Sequence, residues 1–339
     1  MSTAGRQIVA SLQGATTDST ILEQIKDSEL DLSKDIPNPP PVLFQGDKVM
    51  MSKGDFSAVV GAAKSRKTFC ITAMVGAYLS DDEYMGMSSP GDAGNVLWID
   101  TEQSIYYAAK VARRICRIAG FNEHENNKRF RMLCLREFSP GTRFKMVDTA
   151  IRLYKPQLAI IDGAADLIED VNDSAESSKL STLLMNLTKE LNNHIITVLH
   201  TNPGGDKPRG HLGTNFLNKA QALFIVKADG EVSTVSVERC RDIAVSDWAF
   251  KINDKGLPEI TSMPEDTTKA DTLKSVFYRF TTPIDRIKLR DAIMQQENIK
   301  KSMACRRIKE ALTDNILLEN KMGLLYYKKE NEEEEHLPF

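Results

Sequence analysis

The sequence predicts an α/β fold: a parallel sheet with helices on both faces and antiparallel additions at one edge. The first observation is alternation. Between residues 55 and 199, short apolar runs rich in β-branched residues alternate with helix-length segments. The second is a change of character after residue 222, where short strands are separated or followed by Asp229-Gly230 and Asn253-Asp254, as antiparallel edge strands would be. Taken in order, the pattern predicts a strand at 55–60, a helix at 68–79, a strand at 95–99 and a helix at 104–119. A strand at 129–135, a helix at 142–154, a strand at 158–161, a helix at 178–191 and a strand at 195–199 follow. The edge strands are expected at 222–226, 232–238 and 248–252.

Flanking segments divide the 339 residues into four parts. Residues 1–41 read as a polar arm, with one short helix at 20–32 on which Ile21, Leu22, Ile25 and Leu32 share a face. It ends in Pro37-Asn38-Pro39-Pro40-Pro41, which suits neither helix nor central strand. The main domain is expected over 42–263, a small domain over 268–329 and a tail over 330–339.

Composition narrows the function classes. Basic residues number 44 and acidic 47, a net charge of −3, which excludes a polycation and a wholly disordered acidic chain. That near-neutral total hides a strong asymmetry: residues 268–329 carry 14 Lys and Arg against 7 Asp and Glu, whereas the last ten residues hold five Glu. No apolar run approaches the ~18–20 residues of a membrane span, and the N-terminus lacks the apolar core of a secretion signal. Five scattered cysteines without a CxxC pair point to reduced thiols and a cytoplasmic protein.

Four strand ends carry the chemistry. Gly61-Ala62-Ala63-Lys64-Ser65-Arg66-Lys67-Thr68, followed by Phe69, lies between an apolar strand and a helix. This is the setting in which backbone N–H groups and a helix N-terminus cradle phosphate. Lys67 would reach the β- and γ-phosphates of ATP, and the Thr68 hydroxyl would bind Mg²⁺. Arg66 stands where the pattern has its second glycine; its guanidinium is expected to face a phosphate or a neighbouring subunit. The next strand runs into Asp100-Thr101-Glu102, where Glu102 could activate a water and Asp100 serve either there or as a helix cap. Leu158-Ala159-Ile160-Ile161-Asp162 has the form of a Walker B strand, with Asp162 opposite Thr68 at Mg²⁺. Ile195–Leu199 leads to His200, a candidate γ-phosphate sensor, then to a glycine-rich basic loop, 203–213, with Lys207 and Arg209 suited to nucleic-acid backbone and expected to be mobile.

This order of motifs resembles the RecA-like ATPases, in particular the hexameric replicative helicases typified by plasmid RepA and DnaB, over about residues 42–260. The resemblance implies a RecA-like sheet, Glu102 as the residue that activates water, and His200 as sensor. It also implies a basic pair reaching the neighbouring subunit's ATP, here Arg239 and Arg241, in a homo-oligomer such as a hexameric ring.

The basic segment reads as helix 285–296, helix 302–315 and a hairpin from 316 to 327, which resembles a winged helix. Cys305, Ile308 and Leu312 are expected to face inward. Lys300, Lys301, Arg306, Arg307 and Lys309 would then meet DNA phosphates. The function expected is an oligomeric ATPase acting on DNA in plasmid or mobile-element replication or maintenance, with partner replication or recombination proteins. The alternative is an ATP-gated DNA-binding or regulatory factor that hydrolyses slowly and does not unwind.

Overall fold

The computed structural model describes residues 19–202, 205, 207–240, 245–264, 273, 276, 283–297 and 301–327. The chain divides into two units, 1–40 and 41–339. In the first, α1 (Ser19–Ser28) is shorter than the apolar spacing suggests. Beyond it the Asp31 carboxylate accepts from the Ser33 backbone and hydroxyl, a local turn that competes with helix.

The second unit opens with β1 (Pro41–Gln45) and β2 (Lys48–Ser52), then β3 (Phe56–Gly61) and α2 (Lys67–Leu79). Then come β4 (Met87–Ser88), β5 (Val96–Asp100), α3 (Ile105–Ile118), β6 (Phe130–Cys134) and α4 (Pro140–Tyr154). Further along are β7 (Leu158–Asp162), α5 (Ser174–Leu191), β8 (His194–His200) and α6 (Gly210–Lys219). The edge follows as β9 (Ala222–Asp229), β10 (Val232–Cys240), β11 (Trp248–Ile252) and β12 (Pro258–Thr261).

Nine strands form one sheet in the order β6-β5-β7-β8-β3-β9-β10-β11-β12. From β6 to β9 the neighbours are parallel; from β9 to β12 they are antiparallel. The fold is thus a large, mostly parallel α/β sheet with flanking helices, as a RecA-like fold requires.

Strand alternation divides the core into two layers. Val59, Trp98, Ile160, Ile196 and Phe224 pack with α2 and α3 on one face. Ala58, Ile99, Ile161, Ile195 and Leu199 pack with α4, α5 and α6 on the other. Helix α2 is buried almost all round, because a small sheet of order β2-β1-β4 also lies against its layer. The proline run masks this small sheet in the sequence; Pro41 is admissible as the first residue of a strand. Helix α5 starts at Ser174 rather than 178, because Asp173 caps it, accepting from Ala175 N at 2.7 Å and Glu176 N at 2.9 Å.

The C-terminal part comprises α7 (Arg286–Glu297), α8 (Lys301–Thr313) and a hairpin of β13 (Leu317–Glu319) and β14 (Leu325–Tyr327). Ala304, Ile308 and Ala311 of α8 are buried with Leu289, Ile293, Leu317 and Leu325. Ile308 is buried and Leu312 packs against this core as expected, but Cys305 is exposed, its place in the stripe taken by Ala304, with Ala311 also inward. Ile287 also faces out.

Candidate nucleotide site

Register brings the motif residues to one edge of the sheet. Gly61 pairs with His200 across β3 and β8, and Asp100 pairs with Asp162 across β5 and β7. All four therefore stand at the C-terminal ends of parallel strands, where an open α/β sheet binds ligands. Because β8 lies between β3 and β7, His200 sits between the phosphate loop and the Asp162 strand.

The loop is a backbone concavity. Lys64 (φ 64°) and Arg66 (φ 69°) both take the left-handed conformation, the alternation that turns successive N–H groups toward an anion. A glycine would reach such angles freely; each non-glycine residue costs on the order of 1 kcal/mol. Gly61 is needed for space: a β-carbon there would collide with the Val226 carbonyl and the Ser65 hydroxyl. Ser65 Oγ is buried without a hydrogen-bond partner, and the loop residues Ala62, Ala63 and Lys64 remain exposed at the mouth.

The Arg66 guanidinium reaches from the loop to the β9–β10 hairpin. It donates to Gly230 O at 2.7 Å, Ser233 Oγ at 2.9 Å and Val232 O at 3.3 Å, all at the β9–β10 turn. Its backbone remains in the phosphate loop.

Lys67 is 7% exposed and folds back on the loop, donating to Gly61 O and Ala62 O, each at 2.9 Å. Burial lowers its pKa, partly opposed by Glu102 and Asp162. Its Nζ also lies 3.3 Å from His200 Nδ1, while His200 Nε2 lies 3.4 Å from Glu102 Oε1. The His200 contact, reinforced by Lys67, holds the Glu102 carboxyl below its ordinary pKa despite partial burial. Thr68 Oγ1 is 3.5 Å from Asp162 Oδ2. Burial, with Asp100 and Glu102 close by, raises the Asp162 pKa to about 7. The Asp162 carboxylate beside the Thr68 hydroxyl could hold a divalent cation, whose charge would favour the ionised carboxylate.

Asp100 serves as a cap: Oδ1 accepts from Gln103 N at 2.7 Å and Glu102 N at 3.0 Å, fixing the backbone that presents Glu102. Its Oδ2 is buried without a partner, and burial raises its pKa. The Thr101 hydroxyl contacts Asp162 O, Gly163 O and Asp166 Oδ2, tying the ends of β5 and β7 together. Gly163, at φ 105°, leaves the space that Thr101 occupies.

A cavity of about 490 Å³ opens over Lys67, Thr68, Glu102 and His200 and runs along α3 to Lys110 and Arg114. The Arg114 guanidinium stacks on Phe69, 3.8 Å from the ring centroid, and donates to Gly256 O. Burial and Arg117 lower its pKa to about 10. Sequence reasoning missed Tyr107, Lys110 and Arg114. Their spacing of three and four on one helix, starting just after Glu102, is the signal that places them on one face.

Lys207, Arg209, Lys301, Arg306, Arg307 and Lys309 are not among the residues that line this cavity. Arg239 is level with Leu223 in β10, and Leu223 is level with Ala58, so its backbone is two strands from β3 and three residues back from Gly61. A register shift between Val237 and Arg239 interrupts the alternation there. Arg241 and Lys300 lie outside the described residues. Lys207 and Arg209 are exposed, but the loop is shorter than expected: Thr201 and Pro208 form a β-bridge and α6 already starts at Gly210. Lys301, Arg306 and Lys309 are exposed on α8, Arg307 is half-buried, and Arg306 pairs with Glu310 at 3.1 Å. No helix among the described residues is long and apolar enough to cross a membrane.

The protein family described as AAA domain matches residues 19–206, more than half of the chain. No curated protein was found to match.

Proposed function

Because the chain belongs to the AAA domain family, a family of P-loop ATPases with a RecA-like fold, we propose that it is an oligomeric, DNA-directed ATPase whose general base is released by the γ-phosphate. The observation that carries the reading is the chain Lys67–His200–Glu102. Lys67 has only donors, so Nδ1 accepts from it and Nε2 carries the proton offered to Glu102. A γ-phosphate entering the loop competes for Lys67, whose present partners are two carbonyls and the imidazole. His200 then turns its donor to the phosphate, and Glu102 is freed to take a proton from water. Thr68 and Asp162 would hold Mg²⁺, which would neutralise phosphate charge.

Charge supports DNA as the partner. Residues 268–329 are the basic part of the chain, and the α7–α8–hairpin order supports a winged-helix reading, with Lys301, Arg306, Arg307 and Lys309 on α8. The DNA-contacting set would be completed by Lys300, Lys207 and Arg209. Arg239 and Arg241 are proposed to serve the ATP of a neighbouring subunit, a role worth 10³–10⁵ in rate where such fingers occur. The non-glycine loop residue Arg66 favours a second reading, an ATP-gated DNA-binding factor with slow turnover. ATPase rates with and without single- and double-stranded DNA, alongside strand displacement, separate the two. DNA-stimulated turnover with displacement supports the helicase-like reading; slow turnover without displacement supports the gated one. No ATP binding at all refutes both.

A further inference from the structure

A phosphate loop that carries arginine in place of its second glycine needs something else to hold the left-handed turn. In this chain the holder is visible. Arg66, at φ 69° and ψ 28°, starts α2 without a side-chain cap; instead its guanidinium reaches out of the loop to the tip of the β9–β10 hairpin. Two of its acceptors are backbone carbonyls of the turn, Gly230 O and Val232 O, and the third is the buried Ser233 side chain. The same β9 strand touches the loop at its other end, where the Val226 carbonyl closes on Gly61. The loop is thus gripped at its first residue and again beside its lysine by one hairpin. That hairpin continues into the β10 segment bearing Arg239.

We propose that Arg66 is a positioning residue that holds the anion-binding turn in shape through the β9–β10 hairpin, so that nucleotide affinity depends on the hairpin tip. This rests on the ATPase reading of the site. Physically, three charge-assisted contacts outweigh the strain of a left-handed arginine, and they do so only while the tip is in place. The consequence runs against the motif. Arg66→Gly installs the residue with the most freedom at this angle, yet it removes the tether and lets the loop sample other conformations.

Nucleotide binding reports the outcome. Titration of ATP·Mg²⁺ calorimetrically, with steady-state hydrolysis alongside, should show Arg66→Gly weakening ATP binding roughly five- to tenfold, with kcat held within about twofold. Loss of uniform binding raises KM alone, whereas general damage to the fold lowers kcat as well. Ser233→Ala should move affinity in the same direction by about twofold to threefold. In the double variant its added effect should vanish, because both changes break one tether. Arg66→Lys, which keeps the charge and one donor group, should recover part of the loss. The proposal is overturned if Arg66→Gly binds ATP as tightly as the wild type or more tightly, or if the two changes simply add. A wild-type protein that binds no ATP would instead sink the ATPase reading, and this outcome is distinguishable because it precedes any variant.

Discussion

His200 Nδ1 stands 3.3 Å from the Lys67 ammonium, and its other nitrogen stands 3.4 Å from the Glu102 carboxylate. One imidazole therefore spans the loop ammonium and the candidate base. Its position follows from β8 lying between β3 and β7.

The first expectation concerns that imidazole. A glutamine amide can accept from Lys67 through its oxygen and donate to Glu102 through its nitrogen, as His200 does. His200→Gln should keep kcat within a fewfold, while His200→Ala should lower it ~10- to 100-fold with ATP affinity little changed. Steady-state ATPase assays check this; equal rates for the two variants would remove His200 from the mechanism.

The second concerns pH and stability. His194 is fully buried between Ser52 O and Ser57 Oγ, and burial lowers its pKa to about 4. The unfolded chain binds a proton there near pH 6.5 and the folded one does not, so this contribution to stability falls as pH drops from about 6.5 to 4. Asp162 acts oppositely: folded, it keeps its proton up to about pH 7, whereas unfolded it loses it near 3.8. Its contribution therefore falls as pH rises through that window. Each slope is at most about 1.4 kcal/mol per pH unit, and the two nearly cancel. Asp162→Asn should stabilise the nucleotide-free protein more at pH 8 than at pH 5 and expose the His194 slope. Denaturant midpoints from pH 4.5 to 8 measure it; a variant whose profile parallels the wild type contradicts the assignment.

Much of this site is legible in the amino-acid sequence. The phosphate loop, Glu102, Asp162 and His200 are each a single polar residue or loop at the end of an apolar strand, a pattern that needs no knowledge of pairing order. What the sequence hides depends on tertiary proximity. The Arg66 guanidinium finds its partners 164 to 167 residues away, which no local pattern encodes. The inward stripe of α8 uses Ala304 and Ala311, too small to stand out beside Cys305 and Leu312. Helix α6 merges with the preceding loop in the sequence pattern because two glycines, Gly210 and Gly213, fall in its first turn. A β-carbon at Gly213 would strike Pro208, so that glycine marks close packing rather than a loop.

The third expectation concerns DNA. Residues outside 268–329 sum to a negative charge, so attraction for duplex phosphate must come mainly from that segment. Each of Lys301, Arg306, Arg307 and Lys309 that meets a phosphate adds about 0.9 to the logarithmic salt slope. Removing residues 268–339 should flatten the slope and lower duplex affinity while basal ATPase persists. Equal affinity of the intact and truncated proteins, by fluorescence anisotropy across a salt series, would make this segment a protein-docking module.

The fourth concerns the loop lysine. Lys67→Ala removes an ammonium that reaches both the loop carbonyls and His200. ATP binding should fall by at least tenfold in calorimetry, and hydrolysis should cease. Unchanged affinity and turnover would remove the phosphate-loop assignment.

The proposed hydrolytic step depends on Glu102. Glu102→Gln keeps the side chain's shape and its contact with His200 but cannot take a proton from water. Single-turnover hydrolysis of bound ATP is the measurement that isolates this step from binding and release. The expected result is wild-type ATP affinity with the hydrolytic rate lowered ~10²- to 10⁴-fold. Turnover within a fewfold of wild type, with ATP equally well bound, would place the base elsewhere and contradict the mechanism.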